Sequence, residues 1–179
     1  MNIKPIETEY NGYRFRSRLE ARWAVFFDTA GIKYQYEPEG FDLGDGIKYL
    51  PDFYLPEDEV WVEIKGTMPD EKDLEKMLRF GQKVCGDMTE TGKRYRCLLG
   101  EIPFNGIGDF IPCLIYASRE ELVKLLKAGA PVNIPKYGAF NHGFWVHNRG
   151  LEIGKRAMKK ARSARFEHGE KPNIRSVSV

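Results

Sequence analysis

The sequence predicts an α/β fold in which amphipathic helices cover a sheet, extended at its C-terminal end by a basic helix. Three observations carry that prediction. Helix-period and strand-period segments alternate through the first 130 residues, two Ser-x-x-Glu boxes mark helix starts, and the last 49 residues change in both texture and charge. A chain of 179 residues is one domain or one domain plus an arm. Hydrophobic types at 42% and charged types at 30% suffice for a core and exclude collagen, coiled-coil and wholly disordered classes. No apolar run approaches the roughly 20 residues of a membrane span, and MNIKPIETEY lacks the apolar stretch of a signal peptide, so a cytoplasmic location is expected. Cys85, Cys97 and Cys113 are odd in number and lack a CxxC pair, which points to reduced, buried thiols rather than disulfides or zinc.

The elements follow in order. Ser17 and Glu20 form the first capping box, Leu19, Trp23, Phe26, Phe27 and Ala30 recur at helical spacing, and Gly31 stands where a C-cap belongs, so a helix is predicted over 18–30. Residues 32–37 alternate as a strand. Gly44-Asp45-Gly46 is a turn ahead of a second strand over 47–55, and a third covers 60–65 after the short connection 56–59. A helix over 70–85, begun by Pro69, carries Leu74, Met77, Leu78 and Val84 on one side. Strands near 95–99 and 111–117 follow, then a helix from the second box, Ser118 and Glu121, to about Gly129. Residues 131–150 are rich in Gly, Pro, Asn and aromatics and read as an irregular crossing segment in which Phe144 and Trp145 pack onto the core. The last helix, about 151–167, sets Ala157, Met158, Ala161 and Ala164 on a small-residue side and ends near Gly169. The predicted organisation is therefore a core over 1–130 and a crossing segment with a basic helix over 131–179.

Charge divides at the same place. Residues 131–179 hold ten Lys/Arg and three acids, a net +7, while residues 1–130 hold 18 and 23, a net −5. An acidic body on a basic tail is the distribution expected if carboxylates serve a cation while Lys155, Arg156, Lys159, Lys160, Arg162 and Arg165 seek a polyanion; a solvated basic helix is the plain alternative.

The most informative stretch is LPDFYLP, a short turn, then WVEIKG. If 56–59 closes an antiparallel hairpin, paired positions sum to 115 and Asp52 falls opposite Glu63, with Cβ atoms about 5 Å apart on one face. Like charges that close repel unless a cation sits between them. Alternation puts Trp61, Glu63 and Lys65 together on that face, with Val60, Val62 and Ile64 on the other. A hard cation such as Mg²⁺ suits two carboxylates and the Ile64 carbonyl, because it takes oxygen ligands and keeps several waters. The Lys65 ammonium would then hold water or screen charge building on a phosphate. The competing reading is a surface cross-strand pair with Lys65 as the counter-ion of Glu63.

Pro51-Asp52, ten residues, then Glu63-Ile64-Lys65 resembles the PD-(D/E)XK nuclease superfamily, and the element order over about residues 13–100 is similar to its αβββαβ core with a mixed central sheet. FRSRLEARWA, YEPEGF, LPDFYLP, WVEIKG and ARSARFEHGE together resemble small stand-alone nucleases encoded by bacteriophages. The resemblance implies Mg²⁺- or Mn²⁺-dependent phosphodiester cleavage, with Asp52 and Glu63 as metal ligands and Lys65 as the catalytic lysine. It also implies a further acid from the first helix, matched by Glu20, and a Gln or Lys from the helix after the ExK strand, matched by Gln82 and Lys83. Glu20 is equally explained as a helix cap, and Gln82 and Lys83 as helix surface.

Arg14, Arg16 and Arg18, interleaved with Tyr13 and Phe15, are candidates for phosphate contacts beside the site, or else solubilising charge. The expected activity is that of a deoxyribonuclease, and the resemblance implies an endonuclease of phage DNA metabolism acting in a host bacterial cytoplasm. Its expected partner is DNA, with a homodimer or a nucleoprotein partner needed if both strands are cut. The alternatives are a recombination or transposition component that cuts only with a partner, and a non-catalytic DNA-binding protein on the same fold. Neither zinc nor membrane is expected.

Overall fold

The computed structural model describes residues 5–66, 69–85, 94–99 and 151–166, and these form a mixed α/β structure of eight strands and three helices. The predicted strand at 111–117, the helix at 118–129, the crossing segment with its boundary near residue 130, and Cys113 lie outside the described residues. Among the described residues no helix is long and apolar enough to cross a membrane. They group into two compact units, 5–34 with 151–166, and 35–66 with 69–85 and 94–99.

The first unit begins with a hairpin, β1 (Thr8–Tyr10) and β2 (Tyr13–Phe15), paired Tyr10 to Tyr13. Its two-residue turn, Asn11-Gly12, has φ of 48° and 81°, and positive φ at both central residues is what a tight hairpin demands and Asn-Gly supplies. The sequence showed only extended alternation here. Helix α1 (Arg18–Ala30) has the predicted bounds. Ser17 Oγ accepts from Glu20 N–H, and at the other end Gly31, at φ 68°, donates to Asp28 O while Ile32 donates to Phe27 O, the two bonds of a left-handed C-terminal cap. The helix is buried around more of its circumference than one apolar stripe requires, with Ala21, Trp23, Ala24, Val25, Phe26, Phe27 and Ala30 all inside.

Helix α3 (Leu151–Ser163) covers part of it. Gly154, Ala157, Met158 and Ala161 recur at i, i+3, i+4 and i+7 and are buried, as is Ala164 just beyond the helix. Small residues there let the two helix axes approach. Arg22 Nε donates to Ala164 O at 3.4 Å, and Tyr10 meets Phe166 edge to face with centroids 6.2 Å apart. The helix ends at Ser163, short of the predicted end near residue 167, and residues 164–166 have left helical conformation; Gly169 lies outside the described residues.

In the second unit a four-stranded sheet runs β3 (Gln35–Tyr36), β6 (Phe53–Leu55), β7 (Val60–Lys65), β8 (Arg94–Leu99). The first three strands are antiparallel, and β8 lies parallel to β7. A separate hairpin pairs β4 (Phe41–Asp42) with β5 (Lys48–Tyr49) around the predicted Gly44-Asp45-Gly46 turn, where all three residues have positive φ. Helix α2 (Glu71–Cys85) connects β7 towards β8. Asp70 caps it, its Oδ1 accepting from Asp73 N–H at 2.8 Å, with Pro69 one residue outside. Phe80, Met77 and Val84 pack with Trp61 and Tyr49, with Phe41, Leu43 and Tyr54 against the cluster.

Two predicted strands are corrected. The strand expected over 47–55 is two short ones in different sheets. Pro51 has no N–H to donate and the chain bends at Asp52, so Lys48–Tyr49 pair with β4 while Phe53–Leu55 pair with β7. The strand expected over 32–37 shrinks to Gln35–Tyr36, because Glu37 takes a φ of 44° that leaves extended conformation.

Candidate functional site

The register of the central hairpin is Phe53↔Val62, Tyr54↔Trp61 and Leu55↔Val60, so paired positions sum to 115. Residues 56–59 close it, with Asp58 N–H donating to Leu55 O. Trp61 packs on Phe80 and Lys65 reaches Asp73, both on α2, so the Trp61, Glu63, Lys65 side of β7 faces that helix.

Asp52 departs from the simple cross-strand picture. The ladder ends at Phe53, and on the next rung Pro51 would stand opposite Ile64 without a donor. Instead Asp52 turns its carboxylate to the Ile64 backbone, Oδ2 accepting from the N–H at 2.6 Å, while its own carbonyl accepts from Glu37 N–H at 2.9 Å. The Asp52 carboxylate thus takes the Ile64 N–H that the Pro51 carbonyl would accept on a regular ladder, a rung that proline leaves half made for want of an N–H. In a strand the N–H and C=O of one residue point the same way, so the Ile64 carbonyl also lies along the Asp52 side of β7.

Both carboxylates are inside the protein, Asp52 at 2% exposure and Glu63 at 4%. Lys65 Nζ sits 2.9 Å from Glu63 Oε1 and 3.4 Å from Asp73 Oδ2. Burial acts to lower the Lys65 pKa, but the charge and hydrogen bond of Glu63, then the charges of Asp73 and Asp52, outweigh it and hold the group above its ordinary value. As an ammonium, Nζ can donate to a water or phosphate oxygen and cannot take a proton. Asp73 is the member of this cluster that sequence reading missed. Its one sequence signal is its place in the first turn of the helix that follows the ExK strand.

The donor set tests whether a cation fits. Asp52, Glu63 and the Ile64 carbonyl offer hard oxygens only, and among the described residues no three His, Cys, Asp or Glu side chains gather as a metal-holding group. Two carboxylates and a carbonyl are too few for an all-protein cage. They fit Mg²⁺ or Mn²⁺, of which Mg²⁺ in particular is commonly held by one or two carboxylates and completes its shell with water and substrate phosphate.

The remaining sequence candidates divide by place. Glu20 is buried at 7% exposure in the first unit, and its carboxylate is occupied as a cap: Oε1 accepts from the Ser17 hydroxyl at 2.6 Å and Oε2 from Arg16 N–H at 3.1 Å. Gln82 and Lys83 are exposed near the end of α2. Nine residues separate Gln82 from Asp73, roughly 13 Å along the helix axis, so the helix does not bring Gln82 to the Lys65 end of β7. Arg14 and Arg16 are exposed in the first unit, Arg14 paired with Glu7, and Arg18 is half-buried at the start of α1. On α3, Lys155, Arg156, Lys159 and Arg162 are exposed, Lys160 is half-exposed, and Arg165 is exposed just beyond the helix. Lys155 pairs with Glu152 at 2.9 Å.

No family model, curated protein or solved structure matches this chain.

Proposed function

We propose that the chain is a divalent-metal-dependent deoxyribonuclease of the PD-(D/E)XK type, with Asp52, Glu63 and the Ile64 carbonyl as the cation site and Lys65 as the catalytic lysine. One observation carries the reading: two carboxylates eleven residues apart in sequence are buried at the end of one hairpin, beside an ammonium. Burying like charges is costly unless positive charge compensates them, and Lys65 supplies such a charge beside the pair.

A bound Mg²⁺ or Mn²⁺ would supply Lewis-acid stabilisation of charge on the scissile phosphate. Water attacks the phosphorus in line with the leaving oxygen, the P–O bond to that oxygen breaks, and the proton lost by the water passes to solvent, from which the leaving oxygen is protonated. Lys65 Nζ, fixed as an ammonium, donates to the phosphate oxygen on which charge builds or orients the attacking water by its oxygen. Asp52 has a second duty, since its hold on Ile64 N–H fixes the backbone from which Glu63 and Lys65 project. Exposed bases of the first unit supply sequence-independent contacts to DNA phosphates. The αβββαβ core of the superfamily is part of the same proposal, and Glu20 enters it as a cap first and a third acid second.

The deciding assay incubates the purified protein with supercoiled plasmid, linear duplex, single strand and a four-way junction, each with Mg²⁺, Mn²⁺ or chelator. Cleavage of at least one DNA that chelator abolishes and Asp52→Asn removes is the expected result. Cleavage by Asp52→Asn equal to wild type would reject the site, and absence of cleavage on every substrate would leave the DNA-binding alternatives in its place.

A further inference from the structure

Resting on that reading, we propose that Asp73 is a positioning residue, a second seat for Lys65 that keeps its ammonium from competing with the divalent cation for Glu63. The geometry is a lysine shared between two carboxylates. Nζ lies 2.9 Å from Glu63 Oε1 and 3.4 Å from Asp73 Oδ2, so it occupies the ligand that the metal reading requires and is already within reach of another acid. A cation approaching Glu63 meets an ammonium of like charge, and their repulsion opposes binding unless Nζ moves away.

Asp73 gives that movement a destination. It stands in the first turn of α2, its backbone N–H held by Asp70, and is 40% exposed at its side chain, so it can take the ammonium without burying a new charge. Glu63, at 6% by the same measure, is shielded from solvent, so the arriving cation can compensate it where Lys65 did. The exchange is one of partners: Lys65 passes from Glu63 to Asp73 as the divalent ion takes Glu63. One ammonium faces three carboxylates before the exchange, the divalent ion supplies the two positive charges that balance them, and Nζ ends beside the site, where it can reach a phosphate oxygen.

The role differs from that of a ligand in one measurable respect, because it acts through Lys65. The test is a double-mutant cycle in Mg²⁺ and Mn²⁺ affinity, read by calorimetry on the full chain without DNA, over wild type, Asp73→Asn, Lys65→Met and the double variant. Asp73→Asn is expected to weaken cation binding about three- to fivefold, the size of a partly exposed ion pair. In the Lys65→Met background the same change is expected to alter binding less than about twofold, because no ammonium remains to be reseated. Asp73→Glu should restore most of the wild-type affinity. Melting without metal reads any loss of the helix start separately, and Asp73→Ser, which suits a first turn, replaces Asn if that variant melts far below wild type. Equal weakening in both lysine backgrounds would overturn the proposal and make Asp73 a ligand or a general source of field. Wild-type affinity in Asp73→Asn would overturn it while leaving the metal site intact. Failure of wild type to bind either cation would overturn the underlying reading, and this inference with it.

Discussion

Each of the two units buries carboxylate, and they compensate it differently. In the first, Glu20 is satisfied by a hydroxyl and a backbone N–H within four residues, and Asp28 accepts from Asn11 Nδ2 and the Tyr34 hydroxyl. These donors are neutral and, at Glu20, fixed by the helix start. In the second, Asp52 accepts from the Ile64 backbone N–H, while Glu63 is paired with the ammonium of a flexible side chain. A neutral donor that belongs to the fold cannot be exchanged for another ligand without unmaking the fold. An ammonium on four methylenes can be displaced by a stronger cation, so the second arrangement is the one suited to binding and chemistry.

The sharpest break of that contrast is to neutralise the second unit's acids. Asp52→Asn and Glu63→Gln are each expected to lower cleavage at least about 10²-fold, since even changes behind metal ligands commonly cost 10 to 100-fold. Asn keeps an oxygen for Ile64 N–H, so Asp52→Asn should melt close to wild type, and Mg²⁺ should no longer raise its melting temperature. Asp52→Ala leaves that buried N–H without its acceptor and should cost a further roughly 1 to 3 kcal/mol. A metal-dependent rise in melting temperature that persists in both amide variants would remove the pair from the cation site.

The next effect in size belongs to the basic face of α3. Deleting the helix is not a clean probe, because Ala157, Met158, Ala161 and Ala164 are buried and truncation would expose the α1 face they cover. Charge reversal is clean. Lys159→Glu with Arg162→Glu, both exposed, should leave melting nearly unchanged. If both residues contact phosphates, the slope of log K for DNA against log salt should become shallower by about 2, at roughly 0.9 per phosphate. A wild-type slope would make the charge solvated surface.

Glu20 tests the comparison from the other side. Both its oxygens accept, so Gln, with one acceptor, can keep only one of the two contacts, and about 1 kcal/mol of stability should be lost. Cleavage at saturating Mg²⁺ should stay within about tenfold of wild type, below the effect expected at a ligand. Unchanged melting with cleavage lost as in Asp52→Asn would instead make Glu20 a third metal ligand.

What could be read from the sequence follows the range of the interactions. The bounds of α1 and the strand 60–65 were legible because their signals are local: a capping box, a cap glycine, an alternating run. The hairpin register was legible because a four-residue connection fixes the pairing. The use Asp52 makes of the missing rung was not, since it depends on a backbone N–H twelve residues away. Asp73 was hidden for a similar reason, as only the crossing of α2 over β7 brings it to Lys65. The Asn-Gly turn, by contrast, was in plain view and its hairpin was missed because both strands are only three residues long.

The smallest expected effect is at Asp28, and it measures how well neutral donors compensate a charge. Burial raises the Asp28 pKa, and the nearby Tyr10 hydroxyl and the hydrogen bonds from Asn11 and Tyr34 only partly offset that. A carboxyl with a raised folded pKa binds protons more tightly in the folded state, so folding stability falls as pH rises from the ordinary carboxylate value of about 3.9 through the folded value. Asp28→Asn removes that charge and can keep an oxygen towards Asn11 and Tyr34. The difference in stability between Asp28→Asn and wild type should therefore grow in favour of the variant across that window and level off above it. Because the side chain is half-buried, the gain should stay below about 1 kcal/mol. Every other acid is common to the two proteins and cancels from the difference. Melting of the two proteins from pH 3 to pH 8 reads it directly. A flat difference would mean that the donors around Asp28 compensate its charge fully, and that neutral and cationic compensation do not differ in the way the two units imply.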